Sequence, residues 1–229
     1  MLIVIHGENQ VASRHKLSDL VTAVKKQNQE IVSLEAEKLD RAKLESTLLS
    51  NSLFGGSKTL VLEGLHSLPK SKKKDEFIDL ISSASIDIIL WEKKLITKTD
   101  FKKLPADSTV YEFKVTAKLW SLLDHLTSNP KSKNTVLKLF KESVESDGAE
   151  FVFLMIVRQI RMLIQVKENQ PLKMAPFMLA KLSKQAREFT LEKLISLHHQ
   201  LYEIDQKQKQ STGLLSLEAE LDLLLFSAL

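Results

Sequence analysis

Apolar residues follow two rhythms along the chain, and the rhythm changes near residue 114. Up to that point short runs rich in valine and isoleucine recur: Leu2 to Ile5, Glu30 to Leu34, Thr59 to Glu63, Ile86 to Trp91 and Thr109 to Phe113. Runs of this length without a regular polar side read as strands of a parallel sheet buried on both faces. Between them lie helical patterns. Leu17, Leu20, Val21 and Val24 share one helical face, as do Phe77, Leu80, Ile81 and Ala84. Asp40 is placed to cap a helix running through Leu44 and Leu48 and ending near Asn51, because its carboxylate can accept from first-turn amides that lack helical partners. Strand and helix in alternation predict a three-layer α/β/α sandwich over residues 1–114.

After Lys114 the strand signal stops. Helices are expected over about Thr116 to Thr127, ended by Ser128-Asn129-Pro130, and over Ser132 to Ser146, ended before Gly148. A third begins near Ala149. Its Phe153, Ile156, Val157, Ile160, Leu163 and Ile164 form a wide stripe, and Phe151, Leu154, Met155 and Met162 add apolar surface on the flanks. A helix apolar on so many sides belongs at the centre of a bundle. A short helix follows Pro176 and a long one runs from Thr190 to about Gln210. The last, with Ser216 as N-cap, puts Leu217, Leu221, Leu224, Leu225 and Ala228 on one face. The fold class expected is therefore α/β plus all-α, with a helical bundle over residues 115–229.

Composition narrows the chemistry. Hydrophobic residues make up 43% and charged residues 27% of 229, as in ordinary soluble domains. No apolar run approaches the roughly 18 residues that span a bilayer. The opening Met1-Leu2-Ile3-Val4-Ile5 reads as a strand rather than a signal peptide, so a cytoplasmic location and no membrane partner are expected. There is no cysteine, which removes thiol catalysis, disulfides and cysteine-ligated zinc. The net charge of +4 is modest for a stand-alone DNA binder.

The first strand ends at Gly7, where a phosphate-binding loop would begin. Such a loop needs G-x-x-x-x-G-K-[ST]. Here Ala12 replaces the second glycine, Ser13 the lysine and Arg14 the hydroxyl residue, while Glu8 adds negative charge where a triphosphate would lie. Glu63 ends the third strand at a Walker B-like position, but without a phosphate cradle it reads as an acid at the solvent end of a strand. His6, His15, His66, His125, His198 and His199 form no metal-binding spacing; His6 reads as structural and His198 as a core residue. No catalytic constellation and no cofactor are expected.

Several segments taken together resemble a known family: Leu2-Ile3-Val4-Ile5-His6-Gly7-Glu8-Asn9, Ser52-Leu53-Phe54-Gly55-Gly56-Ser57-Lys58-Thr59-Leu60-Val61-Leu62 and Trp91-Glu92-Lys93-Lys94, then the run Arg158 to Lys167, Lys184-Gln185-Ala186-Arg187 and Asp205-Gln206-Lys207-Gln208-Lys209. Their order is similar to that in the delta subunit of the DNA polymerase III clamp loader. The resemblance implies an AAA+-like N-terminal domain without a working ATP site, and a C-terminal helical collar. It also implies a non-catalytic role in DNA replication: binding and helping to open the beta sliding clamp for loading onto primed DNA. Gamma/tau and delta-prime subunits would be the neighbours, with ATP hydrolysis in gamma/tau. The absence of cysteine separates the chain from delta-prime and gamma relatives. The family's lid domain is missing, since Phe113-Lys114 runs almost directly into Lys118-Leu119-Trp120.

The resemblance places the clamp-binding tip at Ser52, Leu53 and Phe54; from position alone, Leu53 and Phe54 could equally pack inward. Lys70, Lys72, Lys73 and Lys74 form the densest basic run, either a solvated helix start or a contact for DNA phosphates or an acidic surface. Arg158, Arg161 and Gln165 recur at helical spacing as either a collar interface or a solvent-facing stripe. Two other readings stay open: a helical adaptor derived from an inactive P-loop protein, and an atypical nucleotide-binding enzyme.

Overall fold

The computed structural model describes residues 1–50, 57–127, 129–210 and 212–228. The chain divides into two compact units, Met1–Lys114 and Val115–Leu229.

In the first unit the strands are β1 (Leu2–Gly7), β2 (Glu30–Glu35), β3 (Lys58–Glu63), β4 (Asp87–Glu92) and β5 (Thr109–Phe113). They form a five-stranded sheet in the order β2-β3-β4-β1-β5, every pairing parallel. The helices are α1 (Gln10–Lys26), α2 (Arg41–Leu49), α3 (Lys72–Ser82) and the single turn α4 (Lys98–Phe101). Because strand side chains alternate between faces, the sheet sorts its residues in two. Ile3, Ile5, Val61, Ile89 and Trp91 face α1 and pack on Leu17. Leu2, Val4, Leu60, Leu62, Ile88 and Leu90 face the other way and pack with Leu44 and Leu48 of α2 and Phe77, Ile78 and Ile81 of α3. This is the expected α/β/α sandwich around a parallel sheet.

Three details differ from the sequence expectation. The outer strands β2 and β5 are only partly covered, since an edge strand has a neighbour on one side only. Helix α2 stops at Leu49, with Ser50 already extended, rather than near Asn51. The turn α4 and a 3₁₀ turn at Ala36–Lys38 are too short to leave a periodic pattern. Asp40 does cap α2, accepting from the Lys43 amide at 2.7 Å.

The second unit is helical: α5 (Ala117–His125), α6 (Lys133–Asp147), α7 (Ala149–Lys167), α8 (Pro176–Ala186), α9 (Leu191–Gln210) and α10 (Leu217–Ala228). Helix α7 touches α5, α6, α8, α9 and α10 and is the bundle's centre. Its Val152, Ile156, Ile160 and Leu163 are buried, while Leu154 is exposed. Gly148 joins α6 to α7 at φ +85°, a conformation glycine adopts without a Cβ penalty. The Asp147 carboxylate accepts from both the amide (3.2 Å) and the hydroxyl of Thr116, which ties the start of α5 to the end of α6. On α10, Leu221, Leu224 and Leu225 are buried; the Ala228 side chain and Ser128 fall outside what the structure describes. His198 is half-buried, not a core residue. Among the described residues no helix is long and apolar enough to cross a membrane.

Candidate functional site

The phosphate-loop position is closed by the chain itself. Gly7 has φ +139°, and a Cβ there would lie 2.1 Å from the Phe113 carbonyl oxygen. This glycine therefore serves close packing of β1 on the end of β5. The Asn9 amide donates to Phe113 O at 3.0 Å, the Gln10 amide to Glu8 O, the Ala12 amide to Asn9 Oδ1 and the Ser13 amide to Asn9 O. A phosphate cradle presents such amides to its ligand; here these are engaged. One turn later Arg14, standing where a metal-binding hydroxyl would be, reaches the Walker B-like acid. Its guanidinium donates to both Glu63 carboxylate oxygens, at 2.8 and 2.9 Å, and lies 3.6 Å from the centre of the Trp91 ring. A planar cation paired in this two-pronged way and stacked on an aromatic face occupies the acid as a metal would. Glu63 is thus not merely a solvated strand end, as the sequence suggested; it holds an internal counter-ion.

The predicted tip residues Ser52, Leu53 and Phe54 lie outside the described residues; the elements before and after them meet through Lys58. Lys58, the first residue of β3, is 5% exposed. Its ammonium donates to the Thr47 carbonyl, to the Ser50 carbonyl at 2.6 Å and to the Ser50 hydroxyl oxygen at 2.7 Å. These acceptors sit at the C-terminal end of α2, where carbonyls lack helical partners and the helix dipole is negative. The chain leaves this ammonium at Ser50 and returns to it at Lys58. Immediately before, Leu49 is 82% exposed, an apolar side chain on the last turn of a helix whose end is fixed.

A second buried polar group lies at the ends of β3 and β4. Glu92 is almost fully buried and accepts from the His66 amide at 2.6 Å and the Ser67 hydroxyl at 3.2 Å. Burial pushes its carboxyl up to about 7, against the opposing pull of those hydrogen bonds. Burial, helped by the charge of Lys74, pushes the His66 imidazole down to about 4, and neither ring nitrogen has a partner among the described residues. His6 is buried, its Nδ1 accepting from the Ile96 amide at 3.2 Å, and burial lowers its pKa. The structural role expected of His6 fits this placement.

This cluster removes Lys74 from the candidate basic run. Lys74 is 5% exposed; its ammonium donates to the His66 carbonyl at 2.8 Å and lies 3.9 Å from the Asp100 carboxylate. Burial makes it an interior tie, unable to reach a phosphate or an acidic surface. Lys70, Lys72 and Lys73 remain exposed at the start of α3, where Ser71 caps the helix.

In the helical unit Arg158 and Arg161 are exposed and Gln165 half-buried, all on α7, and none carries an ion pair among the described residues. Gln185 ties three helices: its amide donates to the Leu123 and Leu126 carbonyls at 2.7 and 2.8 Å, and its Oε1 accepts from Gln159 at 2.6 Å.

No family model and no curated protein matches the chain. Among solved structures, the Bacillus subtilis DNA clamp loader delta protein (YqeN) is similar in fold, with 14% identity, a TM-score of 0.43, and coverage of 99% of this chain and 94% of that one.

Leu49, Lys58 and the Arg14–Glu63 pair escaped the sequence reading. Strand parity held a signal for two of them. Lys58 shares a strand face with Leu60 and Leu62, so it points toward α2; Glu63 shares a face with Val61, so it points toward α1.

Proposed function

We propose that this chain is a delta-type subunit of a bacterial sliding-clamp loader. In this reading it takes part in DNA replication as a binding and assembly subunit. The apolar end of α2, together with the Leu53 and Phe54 that follow it in sequence, enters a pocket on the beta clamp. The helical unit joins gamma/tau and delta-prime neighbours, which hydrolyse ATP, and the assembled complex meets primed DNA. The observation that carries the reading is Leu49. A largely exposed leucine costs solubility and contributes nothing to the local core, yet it stands on a helix end that a buried lysine holds in place. A fixed apolar projection suits insertion into a partner, because little ordering remains to be done on binding. The self-occupied phosphate position supports a role without nucleotide turnover.

Reconstitution tests this. With gamma/tau, delta-prime, clamp and primed DNA from the same organism, clamp loading should depend on adding this chain. Glu63→Gln should leave loading and ATP hydrolysis unchanged. Loading that proceeds without the chain, or ATP hydrolysis that falls with Glu63→Gln, would overturn the proposal.

A further inference from the structure

The methionines are distributed unevenly. The chain has five, and all but Met1 line one groove in the helical unit. Met155 and Met162 come from α7, Met174 from the segment before α8, and Met178 from α8. With Trp120 of α5 and Phe177 of α8 they surround a cavity of about 700 Å³. It is an open trough: Phe177 is 75%, Met178 47% and Trp120 44% exposed. A small-molecule site normally buries most of its ligand, which these side chains do not do. Methionine has an unbranched, polarizable side chain that reshapes itself around a partner, and it is favoured on surfaces that accept helices.

The charges around the trough are unequal. Asp124 is paired with Lys181 at 2.5 Å. Arg158 and Lys173 also line the trough, and neither has an ion-pair partner among the described residues. The polar side chains Gln159 and Gln185 at its base are bonded to each other, and Gln185 also holds the end of α5. What remains available to a partner is a soft apolar floor and two unpaired cations.

We infer that this trough is a docking site for an amphipathic helix of a partner protein, apolar on one face and acidic along its edges. Leucine- or phenylalanine-type anchors one turn apart would enter between the methionines. Glutamate or aspartate on the flanks would meet Arg158 and Lys173, replacing water-exposed cations with charge pairs at the rim. The site is independent of the clamp-binding reading, since it involves no residue of the α/β unit.

The test uses the full chain labelled with ¹³C at the methionine methyls. The probes are two synthetic helices that share one leucine-rich face, one flanked by glutamate and the other by lysine. The glutamate-flanked helix should shift the methyls of Met155, Met162, Met174 and Met178 and leave that of Met1 unmoved. It should bind at least about tenfold more tightly than the lysine-flanked one. The Arg158→Glu/Lys173→Glu variant, changed only at exposed positions, should reverse that order. Phe177→Ala, also at an exposed position, should weaken both. Equal affinity for the two helices, or no methyl shift up to about 1 mM peptide, overturns the inference. So does either alternative occupant. A second copy of the chain would shift the same methyls on concentration without peptide. A fatty acid would be the source if decanoate moved them and the glutamate-flanked helix did not.

Discussion

Replacing Lys58 by methionine keeps the length and apolar stem of the side chain and removes only the charge. In the parent the ammonium is almost completely buried and has three oxygen acceptors at the end of α2. A hydrogen bond from a charged donor is worth about 1.5–3 kcal/mol net, and leaving a buried acceptor unpaired costs about 1–3 kcal/mol. A cation at a helix C-terminus adds up to about 2 kcal/mol when partly buried. Against these stands relief from burying the ammonium, several kcal/mol. The difference is a destabilisation of about 2–3 kcal/mol in Lys58→Met, or on the order of 10 °C in melting temperature for a domain of this size. Urea unfolding followed through Trp91 gives a direct reading, because this residue is buried in the α/β unit. A Trp120→Phe background removes the other tryptophan. Hydrogen exchange at the last turn of α2, where the Ser50 amide donates to Ser46 O, should accelerate in parallel. Lys58→Arg, which keeps the charge, should lose less. A change under about 0.5 kcal/mol in Lys58→Met, the range of neutral surface substitutions, would refute the claim that this ammonium fixes the helix end.

Three further outcomes follow from the same geometry. Leu49→Ala should leave the melting temperature unchanged and weaken clamp binding about ten- to hundredfold, the value of burying one leucine; unchanged affinity would remove Leu49 from the contact. Gly7→Ala forces a Cβ onto the Phe113 carbonyl at a positive φ and should destabilise the α/β unit by about 3 kcal/mol or more, read by the same urea titration; a near-native midpoint would contradict the close packing described. The third concerns pH. Glu92 binds its proton more tightly when folded, so its contribution to stability falls as pH rises from 4.5 to about 7. His66 binds its proton less tightly when folded, so its contribution rises from about 4 to 6.5. The two nearly cancel in the parent. Glu92→Gln should expose the histidine slope, a gain of up to about 3 kcal/mol between those limits, and a flat profile in that variant would count against the burial of His66.

The strands of the α/β unit were legible because buried parallel strands are nearly continuous runs of Val, Ile and Leu, and α7 because its apolar surface exceeds one face. The partial exposure of β2 and β5 was not, since nothing local in Glu30–Glu35 or Thr109–Phe113 says that a neighbour is missing on one side. The polar ties were hidden for a different reason. Arg14 and Glu63 are 49 residues apart, and His66 and Glu92 are 26 apart, so their pairing is a product of sheet order rather than of any motif. Lys74 shows the risk of reading charge from sequence. Four lysines within five positions look like one patch, but helical periodicity turns Lys74 inward beside Phe77 and Ile78 and leaves Lys72 and Lys73 outside. The resemblance rests on the order of several segments and not on residues 52–54 alone, and the helix end before those residues and the strand start after them are joined by the Lys58 ammonium.

Calorimetric titration of the beta sliding clamp from the same organism into the wild-type chain and into Leu53→Ala/Phe54→Ala tests the central claim most directly. Burial of two such side chains is worth about 3–6 kcal/mol, so the wild type should bind and the folded double variant should bind at least about a hundredfold more weakly. Wild-type chain that does not bind the clamp, or a double variant that binds equally well, would contradict the account.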